Sequence, residues 1–251
     1  METTLPPDDI ETSKRAIREA TWAALQEAGA ARFPGTRGRI PNFVGAEAAA
    51  KALAELPIWV KARAIKVNPD SPQRPVRHAA LKAGKVLYLP VPRLAEEEPF
   101  LRLDPAELPE GSLWKASSIK GAFELGVSVR IDEMTPIDLI VTGCVAVTPE
   151  GARLGKGGGY SDIEYALLRE AGLVQEDTPI LTTVHETQVL DDGAFPMTAH
   201  DISLDFIVTD ERVLPCRRPF SRPSGLLPEH LSPEKKAAIP ALAHAATRRT
   251  R

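Results

Sequence analysis

Cysteine is scarce in this chain of 251 residues: Cys144 and Cys216 stand 72 positions apart. That excludes a disulfide framework and a closely spaced thiolate metal site, and it fits a reducing cytoplasm. No apolar run approaches the ~20 residues that span a bilayer, and the acidic N-terminus does not read as a signal peptide. A charge surplus is missing too. Lys+Arg 31 against Asp+Glu 34 leaves a formal net of −3, so no global field draws the chain to nucleic acid or membrane. Neither is an expected partner, and a monomer or weak homodimer is expected. With 43% hydrophobic and 26% charged residues, the composition is that of a globular protein with one sizeable core.

The periodicity predicts a helix over residues 13–28, with Ile17, Ala20, Trp22, Ala24 and Leu25 inward and Gly29 as its stop. Seen alone, Lys14, Arg15 and Arg18 read as its solvated face. A second helix is expected over 46–56, a strand over 62–67, a helix over 72–83 and a short buried strand at 86–89. Residues 91–134 hold four prolines and the acidic run 96–98. Loops are expected there, with one short helix near 119–124. The near-continuous apolar run over 138–147 predicts a central parallel strand covered on both faces, with Gly143 at a bend or a close approach. A helix follows from about Ser161, where Ser161 and Glu164 have capping-box spacing and Gly172 closes it. Further strands are expected over 179–184 and 204–208. Strands alternating with helices predict an α/β fold. Trp22, Trp59, Trp114 and Cys144 read as packing residues, and His185 and His200 as hydrogen-bonding or surface histidines.

From Pro215 the character changes. Six prolines and eight Lys/Arg against two Glu predict a basic, mobile extension over 215–251, with an alanine-rich helix around 234–246. Residues 1–214 form the expected α/β domain.

Residues 151–165 carry the chemistry. Gly155, Gly157, Gly158 and Gly159 surround Lys156, with Arg153 ahead and Asp162 behind. Such a cluster turns backbone N–H groups inward as an anion site. Arg and Lys add charge for phosphate oxygens, and a carboxylate can hold the accompanying magnesium. The following helix would present its positive end to the same anion. Lys156 is followed by glycine rather than Ser or Thr, which excludes a P-loop. Tyr160 stands where a dinucleotide fingerprint needs its third glycine.

Arg153-Leu154-Gly155-Lys156-Gly157-Gly158-Gly159-Tyr160-Ser161-Asp162 resembles the Arg-Leu-Gly-x-Gly-x-Gly-Tyr-Tyr-Asp loop of the 5-formyltetrahydrofolate cyclo-ligase family, the methenyltetrahydrofolate synthetases. Lys14 and Arg18 match that family's N-terminal Lys-x-x-x-Arg. His200-Asp201-Ile202-Ser203-Leu204-Asp205, running into Phe206-Ile207-Val208-Thr209-Asp210, matches its late acidic pattern. The resemblance runs in order from residue 13 to 214. Segments such as Arg39-Ile40-Pro41-Asn42-Phe43, Lys66-Val67-Asn68-Pro69-Asp70 and Pro90-Val91-Pro92-Arg93-Leu94 are most like the methenyltetrahydrofolate synthetase domain-containing branch. Animal members of that branch carry an additional RNA-recognition domain, and no segment here is expected to supply one.

The resemblance implies a three-layer α/β/α sandwich with a mostly parallel sheet. It also implies conversion of 5-formyltetrahydrofolate to 5,10-methenyltetrahydrofolate with ATP and Mg²⁺, releasing ADP and phosphate. Lys14 and Arg18 would touch the ATP phosphates. Arg153, Leu154 and the amides of residues 155–159 would cradle them, and Arg153 and Lys156 would neutralise developing charge. Tyr160 would bridge nucleotide and folate, and Asp162 and Asp201 would hold the magnesium. Two departures fall on the folate side. Ser161 replaces the second tyrosine, and residues 68–74 offer only Asp70 where the family has a pterin-binding acid. The alternatives are an ATP-dependent enzyme with another substrate, a non-catalytic nucleotide- or RNA-binding relative, and a sugar-phosphate isomerase on a similar scaffold.

Overall fold

The structure, a computed structural model, describes residues 6–243. The elements run α1 (Pro7–Glu27), β1 (Ala31–Arg32), β2 (Asn42–Phe43), α2 (Ala46–Ala54), α3 (Pro57–Lys61), β3 (Ala64–Val67), α4 (Arg74–Lys82), β4 (Val86–Pro90) and β5 (Phe100–Leu103). They continue with α5 (Leu113–Ala116), α6 (Ile119–Leu125), β6 (Val127–Val129), β7 (Leu139–Thr142), β8 (Ala146–Val147), β9 (Arg153–Leu154) and α7 (Tyr160–Glu170). The last are β10 (Ile180–Thr183), β11 (Phe206–Val208), β12 (Val213–Pro215) and α8 (Pro233–Ala238).

Eight strands make one sheet in the order β12-β11-β10-β7-β3-β4-β5-β6. The five central strands pair in parallel, and antiparallel pairings finish both edges. Strand alternation divides the side chains between two layers. Ile65, Val67, Leu139 and Val141 face Ala49 and Leu53 of α2 and Val76 and Ala80 of α4. Ile140, Ile180 and Ile207 belong to the opposite face, with Tyr165 and Leu168 of α7. Helices thus cover both faces, giving the expected three-layer α/β/α sandwich. No helix among the described residues is long and apolar enough to cross a membrane.

The molecule departs from the sequence pattern in four places. The strand expected over 138–147 stops at Thr142, and Ala146–Val147 pairs instead with Arg153–Leu154 in a separate two-stranded sheet. A Cβ on Gly143 would come 3.0 Å from Asp70 Oδ2, Gln73 Oε1 and Ile40 Cγ2, so only glycine lets the chain turn off there. Residues 91–134 hold the expected short helix as α6, but β5, α5 and β6 stand where loops were expected: β5 pairs with β4 and β6 with β5, and proline flanks β5 on both sides. Trp114 is exposed rather than packed, with the Arg74 guanidinium 4.0 Å above its ring. In place of the expected mobile extension, residues 215–243 follow the domain surface. Leu226, Ile239, Ala241 and Leu242 are buried against Leu94 and against Ile163, Ala166 and Leu167 of α7. The helix expected around 234–246 is seen as α8, and its part beyond residue 243 lies outside the described residues.

Candidate active site

The chain leaves β3 for β4 on one side and returns as β7 on the other, so the carboxyl ends of β3 and β7 diverge. Open α/β sheets hold ligands at such a switch point. A cleft of about 580 Å³ opens there, between Asn68 and Asp70 after β3, Gly143 after β7, and α1. All twelve residues singled out from the sequence line it: Lys14, Arg18, Arg153, Leu154, Gly155, Lys156, Gly157, Gly158, Gly159, Tyr160, Asp162 and Asp201.

The glycine loop runs from β9 into the first turn of α7. Gly157 (φ 102°) and Gly159 (φ 66°) take left-handed conformations that favour glycine, and Gly159 is the N-cap residue of α7. A Cβ on Gly158 would lie 2.8 Å from the Tyr160 ring. The expected capping box does not form. With Gly159 as N-cap, Ser161 already lies inside the first turn, and no side chain caps the helix. The Ser161 hydroxyl instead accepts from Asn68 Nδ2 at 3.1 Å, and Glu164 forms an ion pair with Lys66 of β3. The first amides of this 11-residue helix therefore keep their capacity for an anion.

Three of the cleft's cations, Lys14, Arg18 and Arg153, are withdrawn from solvent. Lys14 and Arg18 are buried, in contrast to the basic face expected on α1. Lys14 Nζ lies 2.5 Å from Asp201 Oδ2, and Arg18 donates to Gly155 O (2.8 Å) and Glu11 (2.7 Å). Arg153 forms a buried ion pair with Asp162, which also accepts from Ile202 N–H at 3.0 Å. Lys156 reaches Asp70 at 3.3 Å, and its side chain is 47% exposed. Burial opposes the Arg153 charge, but Asp162 beside it raises its pKa overall. Burial also works against the Asp201 charge, yet Lys14 and the Thr198 N–H hold that carboxyl below its usual value.

Two features bear on a bound nucleotide. Arg153, which lines the cleft, has its Nε buried with no hydrogen-bond partner. The glycine backbone passes where side chains would fill the space. Both fit phosphate oxygens. For magnesium, Asp162 and Asp201 line the same cleft, each already beside a cation. No group of three or more His, Cys, Asp or Glu converges among the described residues. A magnesium ion bound mainly through phosphate oxygens fits this set; an all-protein cage does not.

Sequence reasoning missed the floor of the cleft. Lys66 and Glu164 are buried beneath it, and Lys66 also donates to Asn68 Oδ1 at 3.0 Å. Burial raises the Glu164 pKa, with Lys66 pulling the other way. The available signal was one lysine inside the strand Ala64-Ile65-Lys66-Val67, which has no other reason to carry charge. His185 and Glu186 lie elsewhere, His185 capping a turn through Thr187 and Glu186 paired with Arg212. Cys144 is buried as expected, and burial pushes its thiol up to about 11.

The model of the 5-formyltetrahydrofolate cyclo-ligase family matches residues 10–210. The methenyltetrahydrofolate synthase domain-containing protein of Mus musculus is 40% identical over 237 residues, covering 92% of this chain and 62% of that protein. Its Homo sapiens counterpart is 36% identical over 245 residues, 95% of this chain and 62% of that one. The chain thus spans less than two thirds of the length of these curated relatives. Among solved structures, the NMR structure of Aquifex aeolicus 5,10-methenyltetrahydrofolate synthetase has a TM-score of 0.49 at 24% identity, over 84% of this chain and 94% of that one. The chain belongs to the 5-formyltetrahydrofolate cyclo-ligase family.

Proposed function

We propose that this chain closes 5-formyltetrahydrofolate to 5,10-methenyltetrahydrofolate, using ATP and Mg²⁺ and releasing ADP and phosphate. One observation carries the reading: the uncapped N-terminus of α7, its glycine loop and the cations Lys14, Arg18, Arg153 and Lys156 share one cleft at the sheet's switch point. Lys14 and Arg18 bind phosphate oxygens from α1. Arg153 and the backbone of residues 154–159 cradle them, and Tyr160 stands between nucleotide and substrate. Asp162 and Asp201 hold magnesium, which neutralises phosphate charge when bound.

The chemistry needs no protein nucleophile. The formyl oxygen bonds to the γ-phosphorus as the bond to the ADP oxygen breaks. N10 then bonds to the formyl carbon and loses its proton, and the carbon–oxygen bond to phosphate breaks. Catalysis on this scheme is positioning and charge stabilisation. Lys156 suits the second task, because its pairing with Asp70 is long and half exposed while the other three cations are buried. It exchanges partners at the least cost.

A second reading keeps the ATP chemistry with a different polar substrate. Asn68, hydrogen-bonded to Ser161 where the family motif has tyrosine, favours it. Mixing protein, Mg-ATP and 5-formyltetrahydrofolate and following methenyltetrahydrofolate absorbance separates the two. Turnover that falls about 10²–10³-fold in Lys156→Ala supports the cyclo-ligase. ATP binding without product supports the second reading, and absence of both overturns both.

A further inference from the structure

Residues beyond 210 lie outside the family match, yet they reach the cleft. We propose that Lys235, carried in by the C-terminal segment, is an additional phosphate-binding residue of this site; the assignment rests on the nucleotide reading above.

Lys235 lines the cleft beside Gly159, its Nζ 3.2 Å from where a Cβ on Gly159 would stand. That is the uncapped start of α7. Its placement is built in. Ile239 and Leu242 are buried against α7, Leu226 N–H donates to Glu170 at 2.7 Å, and Ser232 caps α8 through Lys235 N–H at 3.3 Å. On α8 the neighbours Glu234 and Lys236 are exposed, whereas Lys235 is half-buried and turned inward.

The electrostatics ask for an anion. Lys14, Arg18, Arg153 and Lys156 each have a carboxylate partner, and Lys235 has none among the described residues. An ammonium held against a helix N-terminus sets two positive ends together, which is unfavourable until a negative group lies between them. A phosphate oxygen of a bound nucleotide answers both, with an ammonium donating as a point charge.

The test is calorimetric titration of the full chain with Mg-ATP, ADP and inorganic phosphate, comparing wild type, Lys235→Ala, Lys235→Arg and Lys236→Ala. Lys235→Ala is expected to weaken Mg-ATP binding about tenfold without lowering the unfolding midpoint of the free protein. Lys235→Arg should stay within about threefold of wild type and Lys236→Ala within about twofold. Loss for inorganic phosphate alone would place Lys235 on the free ion and overturn a nucleotide role. Wild-type binding of Mg-ATP that Lys235→Ala leaves intact overturns this assignment alone. A wild type that binds no Mg-ATP removes the nucleotide reading itself, and the assignment with it.

Discussion

On one face of the sheet, Ile65, Val67, Leu139 and Val141 meet the alanines and leucines of α2 and α4. On the other, Lys66 of the same β3 meets Glu164 of α7, and nearby lie the buried pairs Arg153–Asp162 and Lys14–Asp201. The aliphatic layer has buried cations as well, but Arg77 and Lys85 end on main-chain carbonyls. Apolar burial stabilises by roughly 25 cal/mol per Å². A buried ion pair gives back in attraction about what it loses in desolvation, and an apolar substitute is often no worse for stability. The charges on the α7 face are therefore poorly explained as a means of holding the fold. They are well explained as a ligand site kept charged and immobile, with carboxylates in the places that phosphates would take.

Changes that orphan one member of a pair would test this difference most severely. Arg153→Met leaves Asp162 buried without its cation, and about 3–5 kcal/mol of stability should be lost in urea unfolding. Adding Asp162→Asn should restore most of that stability without restoring nucleotide binding. If the double variant stays as unstable as the single one, the pair is holding the fold and the distinction between the faces fails.

The opposite face supplies the converse. Leu53 is fully buried in the aliphatic layer, and Leu53→Ala should cost about 3 kcal/mol through the cavity it leaves. Nucleotide affinity should stay within about twofold, measured well below the unfolding midpoint. A parallel loss of affinity would show that the two layers are coupled through β3 and β7.

How legible this was in the sequence followed from how local each feature is. The glycine loop was readable because its residue types and spacing encode the backbone directly, whereas Lys14 and Arg18 read locally as a solvated helix face and joined the loop only through the family's Lys-x-x-x-Arg pattern. Lys66 and Glu164 lie 98 positions apart, and nothing local in either segment announces the other. β5 and β6 went unread because they are edge strands and their partners, not their own composition, make them strands. Proline content hid the docking of residues 215–243, whose few apolar side chains, Leu226, Ile239 and Leu242, are spread too thinly to show a period.

A smaller effect concerns pH: burial lowers the pKa of His78 of α4 as well, so the share of the α7 face is read from the difference that a His200 substitution makes. His200 Nδ1 lies 2.8 Å from His230 Nδ1, a contact that allows one proton between them. Burial lowers the His200 pKa, with Asp201 and Asp162 opposing that shift and Lys14 and His230 adding to it. A histidine depressed in the fold binds its proton more readily when unfolded. The stability it contributes is thus present above the ordinary value of about 6.5 and is lost as pH falls through the folded value. Unfolding midpoints should decline as pH drops below about 6.5, and His200→Gln should flatten that decline. The Asp201 carboxyl, held low, acts at more acidic pH and leaves this window clear. An unchanged slope in the variant would remove His200 from the account.

The smallest expected effect is the most discriminating for α7. Were Ser161 a helix cap, its removal would cost about 1 kcal/mol or more and would loosen the helix start. Its hydroxyl instead accepts one bond from Asn68, whose Nδ2 also lies 3.4 Å from Glu164 Oε2 and keeps that acceptor when serine is lost. Ser161→Ala should therefore cost less than about 1 kcal/mol and leave Mg-ATP affinity unchanged, since the amides meant for phosphate were never engaged by this side chain. A larger loss of stability, together with tighter dependence of folding on added nucleotide, would mean that Ser161 shields those amides in the free protein. The anion site of α7 would then be something the ligand must open, and the contrast between a site held ready and a face built only to pack would no longer stand.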